Sequence, residues 1–133
     1  MSPWVEMVLR LLLAAALGAI IGYQRERVGK PAGLRTVVLV CVGAALFTIV
    51  SINGFSTTAD PSRVAAGIVV GIGFLGAGAI MHREGGIVQG LTTAATIWVA
   101  ASIGLAAGAG MYLMAVVAAA LILIVLLLPH PIK

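Results

Sequence analysis

The chain has 133 residues, of which 62% are hydrophobic and only 9% are charged. A soluble domain usually carries about 25% charged residues, so this composition excludes an ordinary soluble fold and indicates an integral membrane protein. The net charge is +4, but half of the basic residues lie in one short loop between apolar segments. That placement is typical of membrane topology rather than of a nucleic-acid-binding surface, so we expect the lipid bilayer and no nucleic acid as a partner.

Apolar segments separated by short polar loops predict an all-α integral membrane protein with five transmembrane helices in a single domain, residues 1–133. The expected spans are approximately residues 3–23, 34–52, 63–81, 92–107 and 111–128. The first segment lacks the positively charged start of a cleavable signal peptide, so we expect it to remain in the protein as a transmembrane helix.

The first predicted helix begins favourably, because Ser2 can cap it and Pro3 suits its first position. Its uncharged part, residues 11–22, is only about 18 Å long and cannot cross a bilayer alone. Glu6 and Arg10 must therefore approach or enter the membrane, at the spacing of a favourable ion pair. Two alternatives follow for Arg10: its side chain extends to the membrane interface, or it faces the bundle interior and positions a group there.

The loop between the first two helices, residues 24–35, is basic and should be cytoplasmic. Either it only sets topology and touches anionic lipid headgroups, or it forms a specific ligand site. With this loop inside, six basic residues are cytoplasmic and two are not, which predicts the N-terminus outside and the C-terminus in the cytoplasm. The six are Arg25, Arg27, Lys30, Arg35, Arg83 and Lys133, and the two are Arg10 and Arg63.

The segment 64–81 is expected to form the central helix. It has 18 residues without a charge, which at about 1.5 Å each give roughly 27 Å, close to the hydrocarbon thickness of a bilayer. Glycine in a membrane helix permits close backbone approach, so two glycine faces predict contacts on two sides. One face carries Gly67, Gly71 and Gly78, the other carries Gly73 and Gly76, and the first helix has a comparable contact pattern in Gly18 and Gly22.

These glycine faces allow two interpretations. They can let the five helices pack on one another, which is the simpler alternative. They can also dock another membrane protein or a second copy of this chain. We expect a homo-oligomer on this basis, with a number of copies that the sequence does not fix.

An enzyme is not expected. His82 and His130 lack partners at the spacing of a catalytic triad or a zinc site. Cys41 is the only cysteine, which excludes an intrachain disulfide, and it lies in an apolar span as a small hydrophobe.

A binding site or route for a cation has more support. Magnesium prefers oxygen ligands, usually one or two carboxylates with retained waters. The candidate ligands are Asp60, Glu26 and Glu84, with the hydroxyls of Thr92, Thr93 and Thr96 as neutral oxygens. The alternative for Asp60 is a cap on the third helix, and the alternative for Glu84 is a solvated loop charge. Mg²⁺ is the only ion implied, and no other cofactor is expected.

Several motifs together resemble one known family. They are R-L-L-L-A-A-A-L-G-A-I-I-G from Arg10, R-E-R from Arg25, G-K-P-A-G-L-R-T from Gly29, D-P-S-R from Asp60, G-I-G-F-L-G-A-G from Gly71 and G-L-T-T-A-A-T-I-W-V-A-A from Gly90. In this order the chain is similar to the transmembrane domain of the MgtC/SapB family of bacterial inner-membrane proteins. The resemblance implies a compact bundle, a cytoplasmic C-terminus and a role in magnesium homeostasis, by transport or by control of other membrane proteins.

The chain departs from the family pattern at three places. Gln24 stands where many members have an acid, and Thr92 and Val99 stand where some virulence-linked members carry Asn and Cys. By the same comparison, we expect this chain to be a short member that lacks the soluble cytoplasmic domain of longer members. With the resemblance in mind, the working hypothesis is that one polar site is lined by Arg10, Asp60, Arg63, Thr92, Thr93 and Thr96.

Overall fold

A computed structural model describes residues 2–55, 60–82 and 88–128. In this part of the chain there are five α-helices: α1 (Pro3–Arg27), α2 (Leu34–Asn53), α3 (Ser62–Ala79), α4 (Leu91–Gly108) and α5 (Tyr112–Leu127). The predicted all-α fold with five helices is confirmed. One difference is local: the third helix ends at Ala79, and the short strands β1 (Met81–His82) and β2 (Val88–Gln89) pair antiparallel before α4 begins.

Four of the helices, α1 to α4, are long and apolar enough to cross a membrane. The fifth, α5, is apolar but has 16 residues, or about 24 Å at 1.5 Å per residue. Helix α1 begins as expected, with the Ser2 hydroxyl accepting a hydrogen bond from the Val5 amide at 3.3 Å. It continues one turn beyond the expected end at residue 23, and that extra turn positions functional side chains described below.

The central helix of the fold is α4, which packs against each of the other four helices. In its apolar stretch 50% of the residues are buried, compared with 11% in α3. The prediction that α3 is central is therefore wrong. Its large side chains point outward, with Val70 75% and Phe74 82% exposed, and it contacts mainly α4.

Helix α2 packs closely against both α1 and α4, and this close packing places α4 inside the bundle. A Cβ atom at Gly22 of α1 would lie 2.7 Å from the Leu34 Cα of α2, and one at Gly108 of α4 would lie 2.6 Å from the Ala45 carbonyl oxygen. Small residues at such points let membrane helices approach closely. The contact between α2 and α4 also includes a hydrogen bond, which the thiol of the buried Cys41 donates to the Ala100 carbonyl at 3.2 Å.

Candidate functional site

Two arginines of α1 form polar clusters at opposite ends of α4. The first, here called the Arg10 cluster, comprises Glu6, Arg10, Tyr112 and the carbonyl of Gly108. The second, the Arg25 cluster, comprises Arg25, Thr93 and the carbonyl of Pro31. Thr93 and Gly108 are fifteen residues apart on one helix, which places the clusters about 22 Å apart along its axis.

The members of the Arg10 cluster are hydrogen-bonded to one another. The Arg10 guanidinium donates to Glu6 Oε2 at 2.6 Å, to the Gly108 carbonyl at 2.9 Å and to the Tyr112 hydroxyl at 3.1 Å. The Tyr112 hydroxyl in turn donates to Glu6 Oε2 at 3.1 Å. Because the side chain of Arg10 is only 17% exposed and contacts the α4–α5 junction, it faces the protein, which decides between the two alternatives given above.

In the Arg25 cluster one hydrogen-bond donor of the arginine is left unused. Arg25 is 2% exposed, and its Nη2 donates to the Pro31 carbonyl at 2.7 Å and to the Thr93 hydroxyl. Its buried Nε has no hydrogen-bond partner. Among the residues that the structure describes, no carboxylate lies within ion-pair distance of Arg25.

Sequence reasoning missed the burial of Arg25, because residues 24–35 were assigned to a solvated loop. Helix α1 instead continues to Arg27, and its buried face follows a helical repeat. That repeat runs through Ala14, Leu17, Gly18, Ile21, Gly22 and Arg25. Extending the same periodicity by one turn from the sequence would have placed Arg25 inside.

Two of the proposed cation ligands act as helix caps. Asp60 Oδ1 accepts from the Ser62 amide at 3.0 Å and from the Ser62 hydroxyl at 2.8 Å, and these hydrogen bonds lower the pKa of Asp60. Glu26 Oε1 accepts from the Leu34 amide at 3.0 Å, at the first residue of α2. The third candidate, Glu84, lies outside the described residues. Within residues 2–55, 60–82 and 88–128, no three His, Cys, Asp or Glu side chains gather as a metal site.

The single polar site of the working hypothesis is not formed, because its members are separated. Arg10 lies at the C-terminal end of α4, whereas Thr93 lies in its first turn. Thr96 donates to the Thr92 carbonyl of its own helix at 2.7 Å, and the Thr92 side chain is exposed. Arg63 is exposed in the first turn of α3. Of the three threonines, Thr93 is the one bonded to another helix.

The glycines differ in what they contact. Gly18 and Gly22 lie against α2, and Gly76 lies against Ala94 of α4. Within the described part of the chain, a Cβ atom at four other positions of α3 would meet no atom within 4 Å. These are Gly67, Gly71, Gly73 and Gly78. Three of them share a side of α3 with exposed large residues, and this surface, the open face of α3, consists of Gly67, Gly71, Gly78, Val70 and Phe74.

Comparison with known proteins supports the resemblance noted in the sequence. The family model described as MgtC family matches residues 11–133. The chain is similar to the putative magnesium transporter YhiD of Escherichia coli K12, with 48% identity over 132 residues, covering 94% of this chain and 61% of YhiD.

Two further relatives come from other bacteria. Protein MgtC of Salmonella typhimurium LT2 is 50% identical over 117 residues, covering 87% of this chain and 49% of MgtC. Protein SapB of Bacillus subtilis is 42% identical over 114 residues, covering 80% and 49%. The chain thus spans about half to three-fifths of the length of these relatives. No solved structure matches the chain.

Proposed function

Because the chain belongs to the MgtC family, we propose that it acts in magnesium homeostasis as a regulator that binds another membrane protein and does not itself carry the ion. It is a multi-pass protein of the bacterial inner membrane. We propose the orientation predicted by the charge distribution, with the basic loop and the C-terminus in the cytoplasm. Passage of Mg²⁺ is the competing function, suggested by the name of YhiD.

The open face of α3 carries this proposal. Gly67, Gly71 and Gly78 leave this side of the helix without side chains at three positions, and Val70 and Phe74 are exposed on the same side. Small residues are what allow the backbones of two membrane helices to approach, since lipid and apolar side chains are equally hydrophobic. Among the described residues, none lies within 4 Å of a Cβ atom placed at these glycines, so the face is free to receive a partner helix, which supports a docking role.

The polar groups give less support to a transport path. Asp60 and Glu26 each use one carboxylate oxygen to accept a hydrogen bond at the start of a helix, which gives both side chains a structural role without a bound cation. Between the two clusters, the buried face of α4 is apolar except for Thr96, whose hydroxyl is bonded to its own helix. An ion on that route would find few of the oxygen ligands that magnesium prefers.

Two measurements on the purified protein and on cells test this proposal. In liposomes, we expect magnesium flux no greater than in empty vesicles. In cells, a photo-reactive phenylalanine analogue at Phe74 should crosslink to a second membrane protein, and Gly71→Leu should abolish complementation in low magnesium. Gly43→Leu is the matched control, because Gly43 on α2 also meets no atom within 4 Å. Flux above empty vesicles, without a crosslink, would establish transport instead.

The expected homo-oligomer remains a proposal that the same crosslink addresses. A product of twice the chain mass would identify a second copy on the open face of α3, whereas a product of another mass would identify a different protein. Both products are compatible with docking through this face. Loss of the crosslink in Gly71→Leu, but not in Gly43→Leu, would show that either product forms through the open face of α3.

A further inference from the structure

We propose that Arg25 and the first turn of α4 form a binding site for a phosphate group, supplied by an anionic lipid headgroup or by a free phosphate compound. This site is independent of the open face of α3 and of the proposed regulatory function. It rests on two separate features that meet at Thr93: a buried arginine with an unpartnered nitrogen, and an uncapped helix N-terminus.

The first feature is the side chain of Arg25. A buried guanidinium is stable only where its donors are bonded and its charge is balanced. Here Nη2 bonds to two neutral oxygens, those of Pro31 and Thr93, while the buried Nε has no acceptor. Neutral oxygens satisfy hydrogens but do not balance the charge, so residues 2–55, 60–82 and 88–128 supply no anion to Arg25.

The second feature is the N-terminus of α4. The first amides of a helix have no partners within it, and the helix dipole makes this end positive. The usual remedy is a side-chain cap, but residue Gly90 occupies the cap position, in a left-handed conformation with φ of 92°, and has no side chain to offer. A guanidinium beside this end adds to the positive potential instead of reducing it. Both features therefore favour the binding of an anion at the N-terminal end of α4.

Three of the four carboxylate side chains of the chain are bonded to groups other than Arg25. The sequence contains four Asp and Glu residues. Glu6 is bonded to Arg10 at the other end of α4, Asp60 caps α3 and Glu26 caps α2. The fourth, Glu84, lies outside the described residues and is addressed by the test below.

Phosphate is the anion that suits these donors. A guanidinium presents planar N–H groups that match phosphate oxygens, and a helix N-terminus binds the same group through its amides. Leu91 and Thr92, the residues before Thr93, are exposed, so the first turn of α4 is open to a ligand from outside.

The test measures the thermal stabilisation of the full chain by inorganic phosphate, in neutral detergent and against chloride at equal ionic strength. We expect phosphate to stabilise the wild type and Arg27→Gln, the control that removes a neighbouring exposed arginine. In Arg25→Gln the affinity for phosphate should fall at least about tenfold, the loss expected for one charge-assisted bond. If that variant does not fold, Thr93→Val replaces it, and we expect a fall of several-fold.

Nanodiscs separate the two sources of the phosphate group. If a lipid headgroup fills the site, phosphatidylglycerol discs should stabilise the wild type over phosphatidylcholine discs, and added phosphate should then have no further effect. If a free phosphate compound fills it, added phosphate should stabilise the protein in both discs. Two results would overturn the site: equal responses of Arg25→Gln and Arg27→Gln, or a wild type that responds neither to phosphate nor to phosphatidylglycerol. In the second case, destabilisation by Glu84→Gln as large as that by Arg25→Gln would identify Glu84 as the partner of Arg25.

Discussion

The two ends of α4 each hold an arginine from α1, yet the two arginines are placed very differently. Arg10 lies at the C-terminal end, where the helix dipole is negative, and Glu6 balances its charge. Arg25 lies at the N-terminal end, where the dipole is positive, and bonds to neutral oxygens. The Arg10 cluster is therefore complete as a structural contact, whereas the Arg25 cluster is receptive to an anion.

The largest effect is expected at the Arg25 end, from Gly90→Ala. The left-handed backbone of Gly90 disfavours a side chain, and a Cβ atom there would collide with the Ala79 carbonyl oxygen. We expect the free energy of unfolding to fall by about 3 kcal/mol, from backbone strain and steric overlap together. Reversible unfolding in mixed micelles measures this fall.

Gly29→Ala is the matched control for that measurement. Gly29 also has a positive φ, of 72°, but a Cβ atom there would meet nothing within 4 Å. Gly29→Ala should therefore lower the free energy of unfolding only through conformational strain, by about 1 kcal/mol. Equal losses at the two positions would show that close packing of α4 against the end of α3 contributes nothing.

The next largest effect is expected at the Arg10 end. Arg10→Ala removes the hydrogen bonds to Gly108 and Tyr112 and leaves Glu6 without its ion pair. We expect the free energy of unfolding to fall by about 2 kcal/mol. Arg35→Ala, which removes an exposed arginine, should change it little. Unlike the Arg25 variants, Arg10→Ala should retain the response to phosphate; losing that response would contradict the separation of the clusters.

A smaller effect is expected from Tyr112→Phe, which keeps the ring 6.0 Å from the Arg10 guanidinium but removes the hydroxyl between Arg10 and Glu6. The expected loss is about 1 kcal/mol in the same unfolding assay. Tyr23→Phe is the control, because the exposed Tyr23 has a comparable arginine, Arg27, 5.9 Å from its ring centroid. A loss as large in the control would mean that the hydroxyl of Tyr112 has no special role.

The smallest effect is expected at Asp60, the carboxylate that caps α3 and not part of either cluster. Its pKa is lowered below the ordinary 3.8 by the two hydrogen bonds from Ser62. A lowered pKa in the folded state means that the cap stabilises the protein above pH 3.8 and is lost as the pH falls below that value. Unfolding measured between neutral and acidic pH should show this slope in the wild type, and Asp60→Asn should lack it.

The phenotype of the double variant Asp60→Ala, Arg63→Ala separates two roles of this segment. A site built on these residues predicts loss of growth in low magnesium with normal membrane insertion. A role for Asp60 only as a cap predicts a modest loss of stability and normal growth. We expect the second result, because Asp60 is engaged by Ser62 and Arg63 is exposed. Growth assays combined with membrane fractionation distinguish the two.

Hydropathy was sufficient to predict five helices, because the bilayer requires apolar segments of set length. It was not sufficient to choose the central helix. Glycine permits close approach, but which helix approaches depends on the side chains around it. In α3 the neighbours Val70 and Phe74 point outward, whereas Gly104 and Gly108 of α4 lie against α2. The glycine pattern of α3 was visible in the sequence, but the sequence did not show that, among the described residues, only Gly76 of these five glycines has a neighbour on another helix.

The polar residues were harder to predict, because their roles depend on which helix ends meet. The ion-pair spacing of Glu6 and Arg10 was readable in the sequence, but their contact with Tyr112 requires α5 to return beside α1. The local sequence does not distinguish Thr93 from Thr92 and Thr96. Arg25 reaches Thr93 because α1 continues one turn further than the sequence predicted.

The short link between α1 and α2 is fixed at two neighbouring residues of α1. Arg25 holds the Pro31 carbonyl, and Glu26 holds the Leu34 amide at the start of α2. The link therefore cannot bend freely, and α1 and α2 should tilt together as one rigid pair. An anion bound at Arg25 would therefore contact the residue that also fixes the connection between α1 and α2.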